Sequence, residues 1–316
     1  MRKAAWAGAT VGGLLLVVLA VCGAVNIAVG GRPMPPRVRN DQPLSDPATR
    51  LKVAVLGDSQ KGLTNLSNLL ARLKDEKVDL VLHTGDLVST NDEGHYRLAA
   101  LTLGRAGIDV PVVIVPGNHD LKGDPARFLR EIGPLEVSFV RGRVAFVTAD
   151  HTSGKPPDLE RIRARVDAAP EGAPVVLAMH VPPFDQEGKT RPGFEPFIEW
   201  LGKSRVRVLL AGHVHDYVRK ELGGTLAIAN GVGGDYESWK LRQKVYATIL
   251  EIDGDSIRDR AIEMSPEHGL VENLEHFAVG HVAQAYRNHP FLTWLSAFAL
   301  AVITGVSIGY LRRRVA

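Results

Sequence analysis

Nine side chains sit where one sheet edge could deliver them together. Five short apolar runs each end in polar donors. LKVAVLGDSQ ends in Asp58 and Gln60, LVLHTGD in Asp86, and VVIVPGNHD in Asn118, His119 and Asp120. VVLAMH ends in His180, and VRVLLAGHVH in His213 and His215. Carboxylate and amide oxygens mixed with imidazole nitrogens suit borderline divalent metals such as Mn, Zn or Fe. Any one of these residues alone reads as a turn residue or a satisfied histidine; five strand ends in series point to one site. The glycines before Asp58, Asp86, Asn118 and His213 are expected to let the backbone turn sharply.

The elements that must carry these residues are legible as an alternation. Apolar runs at Leu51–Leu56, Leu80–Leu82, Val112–Val115, Val144–Val147, Val175–Met179 and Val206–Ala211 read as buried strands. Helix-period segments lie between several of them, at Leu63–Lys77, Glu93–Arg105, Pro125–Ile132 and Asp158–Ala168. From about Asp216 the pattern becomes strand-only. This is a layered α/β domain with an antiparallel finish, and ligands of open α/β sheets bind beyond the carboxyl ends of the strands.

The series GD, GD, GNHD, H, GHVH resembles the calcineurin-like metallophosphoesterase family over about residues 51–263. GNHD and GHVH are its most specific parts. The resemblance implies a four-layered αββα sandwich with a site for two divalent metal ions (Mn, Zn or Fe) at the sheet ends. It implies that Asp86 bridges the two metals, that Asn118, His180 and His213 complete the second, and that Asp58 and His215 hold the first. It further implies attack by metal-generated hydroxide, with His119 as general acid or transition-state stabiliser oriented by Asp120.

One residue departs from the family. Its usual first motif is DxH, and here Asp58-Ser59-Gln60 supplies an amide. Purple acid phosphatases lack that histidine but offer a tyrosine three residues after the second GD aspartate; Ser89 stands there in this chain. Three outcomes are open: Gln60 ligates through Oε1, water replaces it, or one metal is held tightly. His83 is expected to pack beneath the site, His151 to be structural, and Gly231–Gly234 to shape a pocket wall.

The ends differ from the middle. Ala4–Gly30 is uncharged over 27 residues, as is Phe291–Leu311 before Arg312, Arg313 and Arg314. Each is long enough for a bilayer span, which takes about 20 apolar residues. The expected organisation is a transmembrane helix or uncleaved signal anchor at 1–30 and a proline-rich linker at 31–50. The phosphoesterase domain at 51–263 follows, then a partly helical linker at 264–289, a transmembrane helix at 290–311 and a basic tail at 312–316. A cleaved signal peptide is the alternative for the first block. The basic flanks favour both termini in the cytoplasm, putting the catalytic domain on the outer, periplasmic side of a cytoplasmic membrane.

The net charge of +3 suggests a nucleic-acid binder only until it is located. Residues 1–50 carry +4 and the tail +3, leaving the middle mildly acidic, so no nucleic-acid partner is expected. A single cysteine, Cys22, excludes a disulfide framework and a four-cysteine zinc site. No GxxxxGK[ST] or GxSxG occurs, leaving P-loop and serine-hydrolase chemistry without support. The expected function is a membrane-tethered, metal-dependent phosphoesterase acting on a phosphorylated small molecule or a lipid-linked ester or pyrophosphate. The alternatives are a weak or inactive scaffold of the same fold, or a pyrophosphatase facing the cytoplasm.

Overall fold

A computed structural model describes residues 12, 13, 16, 17, 33–234, 244–254, 256–266 and 289–312. They fall into two compact units, Pro33–Glu272 and the pair Met1–Arg32 with Asn273–Ala316.

The larger unit is built on two sheets. The first has the order β11-β10-β1-β2-β3, from β1 (Arg50–Leu56), β2 (Leu80–His83), β3 (Val112–Ile114), β10 (Val245–Asp253) and β11 (Ser256–Met264). The second has the order β4-β5-β6-β7-β9-β8, from β4 (Ser138–Arg141), β5 (Val144–Ala149), β6 (Val175–Met179), β7 (Val206–Ala211), β8 (Tyr217–Leu222) and β9 (Thr225–Asn230). β1, β2 and β3 run parallel, as do β5, β6, β7 and β9, while β4, β8, β10 and β11 pair antiparallel. Parallel strands are covered on both faces, which is why β2, β5 and β6 are buried throughout.

Alternation along the strands makes the layers. Val53 and Val55 of β1 face inward and meet Val176, Val208 and Leu210 of the other sheet. Ala54 and Leu56 face outward, beneath α1 (Leu63–Asp75) and α2 (Glu93–Ala106). On the far side, Val175, Leu177 and Met179 pack against α4 (Leu159–Asp167) and α5 (Glu195–Lys203). The short α3 (Ala126–Glu131) adds Phe128 to the first outer core. The result is the expected helix–sheet–sheet–helix order.

Local signals set the helix ends. Asp92 caps α2 by accepting from the His95 N–H at 3.1 Å, and Gly107 ends it in the left-handed conformation. Asp158 caps α4 in the same way through the Arg161 N–H. Two elements lay outside the sequence expectation, β4 and α5. β4 is a four-residue edge strand with little period to read, and α5 opens with Glu195-Pro196 straight from a loop and buries only Phe197, Trp200 and Leu201.

The described part of the expected linker, 33–50, is fastened to the domain. Met34, Val38 and Leu44 are buried, and Asn40 both donates to the Ile114 carbonyl at 2.8 Å and accepts from the Ile114 N–H at 3.0 Å. β3 is an edge strand with unpaired backbone groups, and Asn40 satisfies them as a neighbouring strand would. Asp46 pairs with the buried Arg141 at 2.8 Å.

In the smaller unit, α6 (Pro290–Arg312) is a 23-residue helix that exposes Phe291, Leu295, Phe298 and Val302. Gly12 lies so close to it that a Cβ there would collide with Thr304 Oγ1. Not every side chain of α6 is described, and among the described residues no helix is long and apolar enough to cross a membrane. Most of the first apolar block, and 267–288 of the expected helical linker, lie outside the described residues.

Candidate metal centre

All nine donor residues converge at the carboxyl ends of β1, β2, β3, β6 and β7. Asp58, Asp86 and His180 form the buried heart, with one ligand atom from each lying within 4.8 Å of the others. His180 Nε2 stands 3.4 Å from Asp86 Oδ2 and 3.0 Å from Asn118 Oδ1. His213 Nδ1 reaches the same Asn118 oxygen at 3.1 Å. His215 Nε2 lies 3.5 Å from Asp58 Oδ1 and 3.4 Å from Gln60 Nε2. Gln60 Nε2 also donates to Asp86 Oδ2 at 3.3 Å. A half-turn of that amide would bring Oε1 to the place Nε2 holds.

Five of these residues have left-handed backbone: Asp58 (φ 50°), Gln60 (39°), Asp86 (55°), His213 (71°) and His215 (50°). Each such residue costs about 1–2 kcal/mol, a strain that clusters at functional sites. The turns are locked by hydrogen bonds that cross between strands. Asp58 N–H donates to the Gly85 carbonyl at 2.9 Å, and Gln60 N–H to the Asp86 carbonyl at 3.1 Å. Both Asp58 carboxylate oxygens accept from the His213 N–H, at 3.0 and 2.9 Å.

The role expected of the glycines is thereby corrected. Gly57, Gly117 and Gly212 do not have positive φ; the donors themselves make the turns. These glycines are needed for close approach. A Cβ at Gly57 would strike Thr84 Oγ1, one at Gly117 would strike the Asp86 amide and carboxylate, and one at Gly212 would lie 2.6 Å from Asp58 Oδ2. Of the four glycines, Gly85 is the one that combines positive φ (99°) with crowding, here against His180 Nδ1 at 2.6 Å.

The expected orientation of His119 by Asp120 is also corrected. His119 Nδ1 meets the Ser89 carbonyl oxygen at 2.7 Å, and its N–H donates to Asp86 Oδ1 at 2.9 Å. Asp120 is fully buried and accepts from the N–H groups of Gly117, Val88 and Leu87 at 2.9, 3.1 and 3.3 Å. It ties the loop after β3 to the loop after β2.

Supporting residues surround the donors. The Thr84 carbonyl holds His180 Nδ1 at 2.8 Å. His83 accepts from the Gly85 N–H through Nδ1 at 3.3 Å, so its proton is on Nε2, directed at Ser59 Oγ at 2.7 Å. This links the turn bearing Asp58 and Gln60 to the turn bearing Asp86, and only an HTGD string hinted at it. His151 lies two residues past the end of β5, its carbonyl accepting from the Val181 N–H at 3.1 Å and its ring edge-on to Phe194. Gly233 and Gly234 back the Asp58 turn, with Gly233 N–H donating to the Gly57 carbonyl at 2.7 Å.

Charge follows geometry. Burial favours the neutral form of Asp86, yet His180 and the His119 N–H outweigh it and hold the carboxyl below its usual range. His180 is the mirror case: burial lowers it, and the Asp86 and Asp58 carboxylates raise it well above an ordinary histidine. Burial and the neighbouring His180 push His213 down to about 4. Burial and the Asp86 charge push Asp120 up. Three buried donors packed this tightly, with a carboxylate shared at the centre and imidazoles on either side of one amide oxygen, fit divalent cations in donor type and in convergence.

The sequence model of the calcineurin-like phosphoesterases matches residues 51–217, the span that holds every one of these donors. The chain belongs to that family. No curated protein matches the sequence. Solved structures share the family fold at low identity. The purple acid phosphatase PPD1 from yellow lupin is 16% identical with a TM-score of 0.54, covering 71% of this chain and 55% of its own. The present chain therefore spans about half of that enzyme. GAP50, described as the anchor in the inner membrane complex of Plasmodium, is 15% identical with a TM-score of 0.52, covering 73% of this chain and 95% of its own. A dimetal phosphatase from Danio rerio is 14% identical with a TM-score of 0.50, covering 68% and 99%.

Proposed function

We propose that this calcineurin-like phosphoesterase hydrolyses phosphate esters with two divalent cations, and that it does so tethered to the outer face of a cytoplasmic membrane. The observation that carries the chemistry is the buried Asp58, Asp86 and His180 donor set with His119 at its margin. Asp58, Gln60 and His215 would hold one cation, Asn118, His180 and His213 the other, and Asp86 would serve both. Such a pair supplies a nucleophile from water at neutral pH and neutralises phosphoryl charge. The chain's own task is to hold substrate and move a proton. The Ser89 carbonyl can only accept, so His119 keeps a proton on Nδ1 and has Nε2 left for the substrate. When protonated there, it can donate to the leaving oxygen.

Tethering rests on the two uncharged end blocks and the three arginines after the second. Two anchors would keep the site near the headgroups and favour a lipid-linked phosphate over a freely diffusing one. A second reading, a weak or silent scaffold, is favoured by one observation: Gln60 offers an amide where the family places an imidazole. The Plasmodium relative, described as an anchor, is in keeping with it.

The test uses full-length protein in detergent, with Mn, Zn or Fe, on an aryl phosphate monoester and diester. Turnover that needs metal and vanishes in Asp86→Ala and His119→Ala supports the enzyme; silence together with failure to bind a second metal supports the scaffold. Reporter fusions after residues 45 and 285 separate the two topologies.

A further inference from the structure

The strand that delivers His180 leads directly into a short hairpin. Phe184 and Thr190 pair across it as an antiparallel bridge, and the turn is closed by the Asp185 N–H donating to the Lys189 carbonyl at 2.9 Å. Lys220 steadies it from β8, donating to the Gly188 carbonyl at 2.5 Å with its ammonium 5.5 Å from the Phe184 ring centroid. Asp185, Gln186, Glu187 and Arg191 of this hairpin, with His213 and Val214, line a cavity of about 280 Å³.

Arg191 is the unspent charge in that cavity. Its N–H donates to the Pro183 carbonyl at 2.9 Å and its Nε to the Phe184 carbonyl at 3.0 Å, which fixes the guanidinium. Neither Nη group carries a hydrogen bond among the described residues. Both carboxylates nearby are engaged. Asp185 Oδ1 accepts from the N–H groups of Glu187 and Lys189, and Glu187 pairs with Lys189 Nζ at 2.5 Å. A held guanidinium with two free Nη groups is a fork for an oxyanion.

The cavity meets the metal centre only at His213; Asp58, Asp86 and Asn118 are not among its lining residues. A substrate whose phosphoryl group lay on those donors would have room to extend its departing half past His213 into the cavity. We propose that Arg191 is the leaving-group subsite, selecting substrates whose departing half carries its own oxyanion, as in a pyrophosphate linkage. This rests on the phosphoesterase reading above and adds to it the substrate class.

The experiment compares inorganic pyrophosphate with phenyl phosphate, whose departing half carries no oxyanion beyond the scissile oxygen, in the full-length protein and in Arg191→Gln and Arg191→Lys. The expected result is a fall of at least about tenfold in the ratio of kcat/KM for pyrophosphate over phenyl phosphate in Arg191→Gln, carried by KM, with partial rescue in Arg191→Lys. Calorimetry on the metal-free protein reads the same preference without turnover: pyrophosphate binding weakens about tenfold relative to inorganic phosphate in Arg191→Gln. An unchanged ratio by both readouts overturns the subsite, as does an equal loss on both substrates, which would place Arg191 on the scissile group. Wild-type protein inert on both substrates defeats the phosphoesterase reading instead, and the calorimetric ratio then decides the subsite alone.

Discussion

His119 and Ser89 are joined at 2.7 Å, from imidazole Nδ1 to a main-chain carbonyl, while the carboxylate of Asp120 is given over to three backbone N–H groups. The adjacent histidine and aspartate of the GNHD string therefore serve different ends. One faces the chemistry, and the other braces the loops that hold it.

This division is measurable. His119→Ala should lower kcat by about 10²- to 10⁴-fold with little change in stability. Asp120→Asn should do the reverse, because an amide group would turn a donor toward other donors. Its unfolding free energy should drop by about 1–3 kcal/mol while kcat of the folded fraction stays within about tenfold. Initial rates and urea melts of both variants decide it. A rate loss in Asp120→Asn equal to that of His119→Ala, at unchanged stability, would restore Asp120 as the orienting group.

Gln60 is the weak point of the first cation position. Gln60→His replaces an amide with a stronger nitrogen donor at a left-handed position (φ 39°), which histidine tolerates better than most residues. Metal affinity at that position should rise on the order of tenfold. Metal content after dialysis against graded chelator reads this directly; identical retention in both proteins would show that position 60 does not ligate.

Crowding at Gly117 makes a sharper test of the glycine argument. Gly117→Ala drives a methyl group into the Asp86 amide and carboxylate, so it should abolish metal binding and cost about 1–3 kcal/mol. Gly123→Ala is the control: its φ is 89° but nothing lies within 4 Å of its Cβ position. It should lose about 1 kcal/mol through backbone strain and keep its metal. Metal retention in Gly117→Ala would count against close approach as the reason for that glycine.

Acid should expose His83. Burial pushes it down to about 3 from 6.5, so the folded chain keeps it neutral where the unfolded chain takes up a proton. The stability it contributes is full above pH 6.5 and is lost as pH falls toward 3, at up to about 1.4 kcal/mol per pH unit. His83→Gln cannot titrate, so its stability deficit relative to wild type should shrink between pH 7 and pH 5. Urea melts at the two values that keep a constant difference would refute this.

Much of the site could be read from the string of residues because parallel strands have a fixed polarity. Once LKVAVL, LVLH, VVI, VVLAM and VRVLLA are recognised as buried parallel strands, the carboxyl ends within each sheet share an edge, which gathers Asp58, Asp86 and Asn118 on one sheet and His180 and His213 on the other; the packing of the two sheets brings those edges together. Residues whose part depends on contacts distant in sequence carried no such signal. Arg191 looks like any loop arginine until the hairpin folds back beside His213, and Asn40 looks like linker until it lies along β3.

Residue type and order by themselves carried the family, through the GD, GD, GNHD, H, GHVH series, and the alternation of strands and helices, through hydrophobic period. Tertiary structure alone decided how each donor is aimed. Backbone conformation and hydrogen-bond partner are settled by what packs alongside, so the left-handed turns at the donors, the crowding at Gly117, and the choice of Ser89 over Asp120 as partner of His119 emerge only when the strand ends are brought into contact.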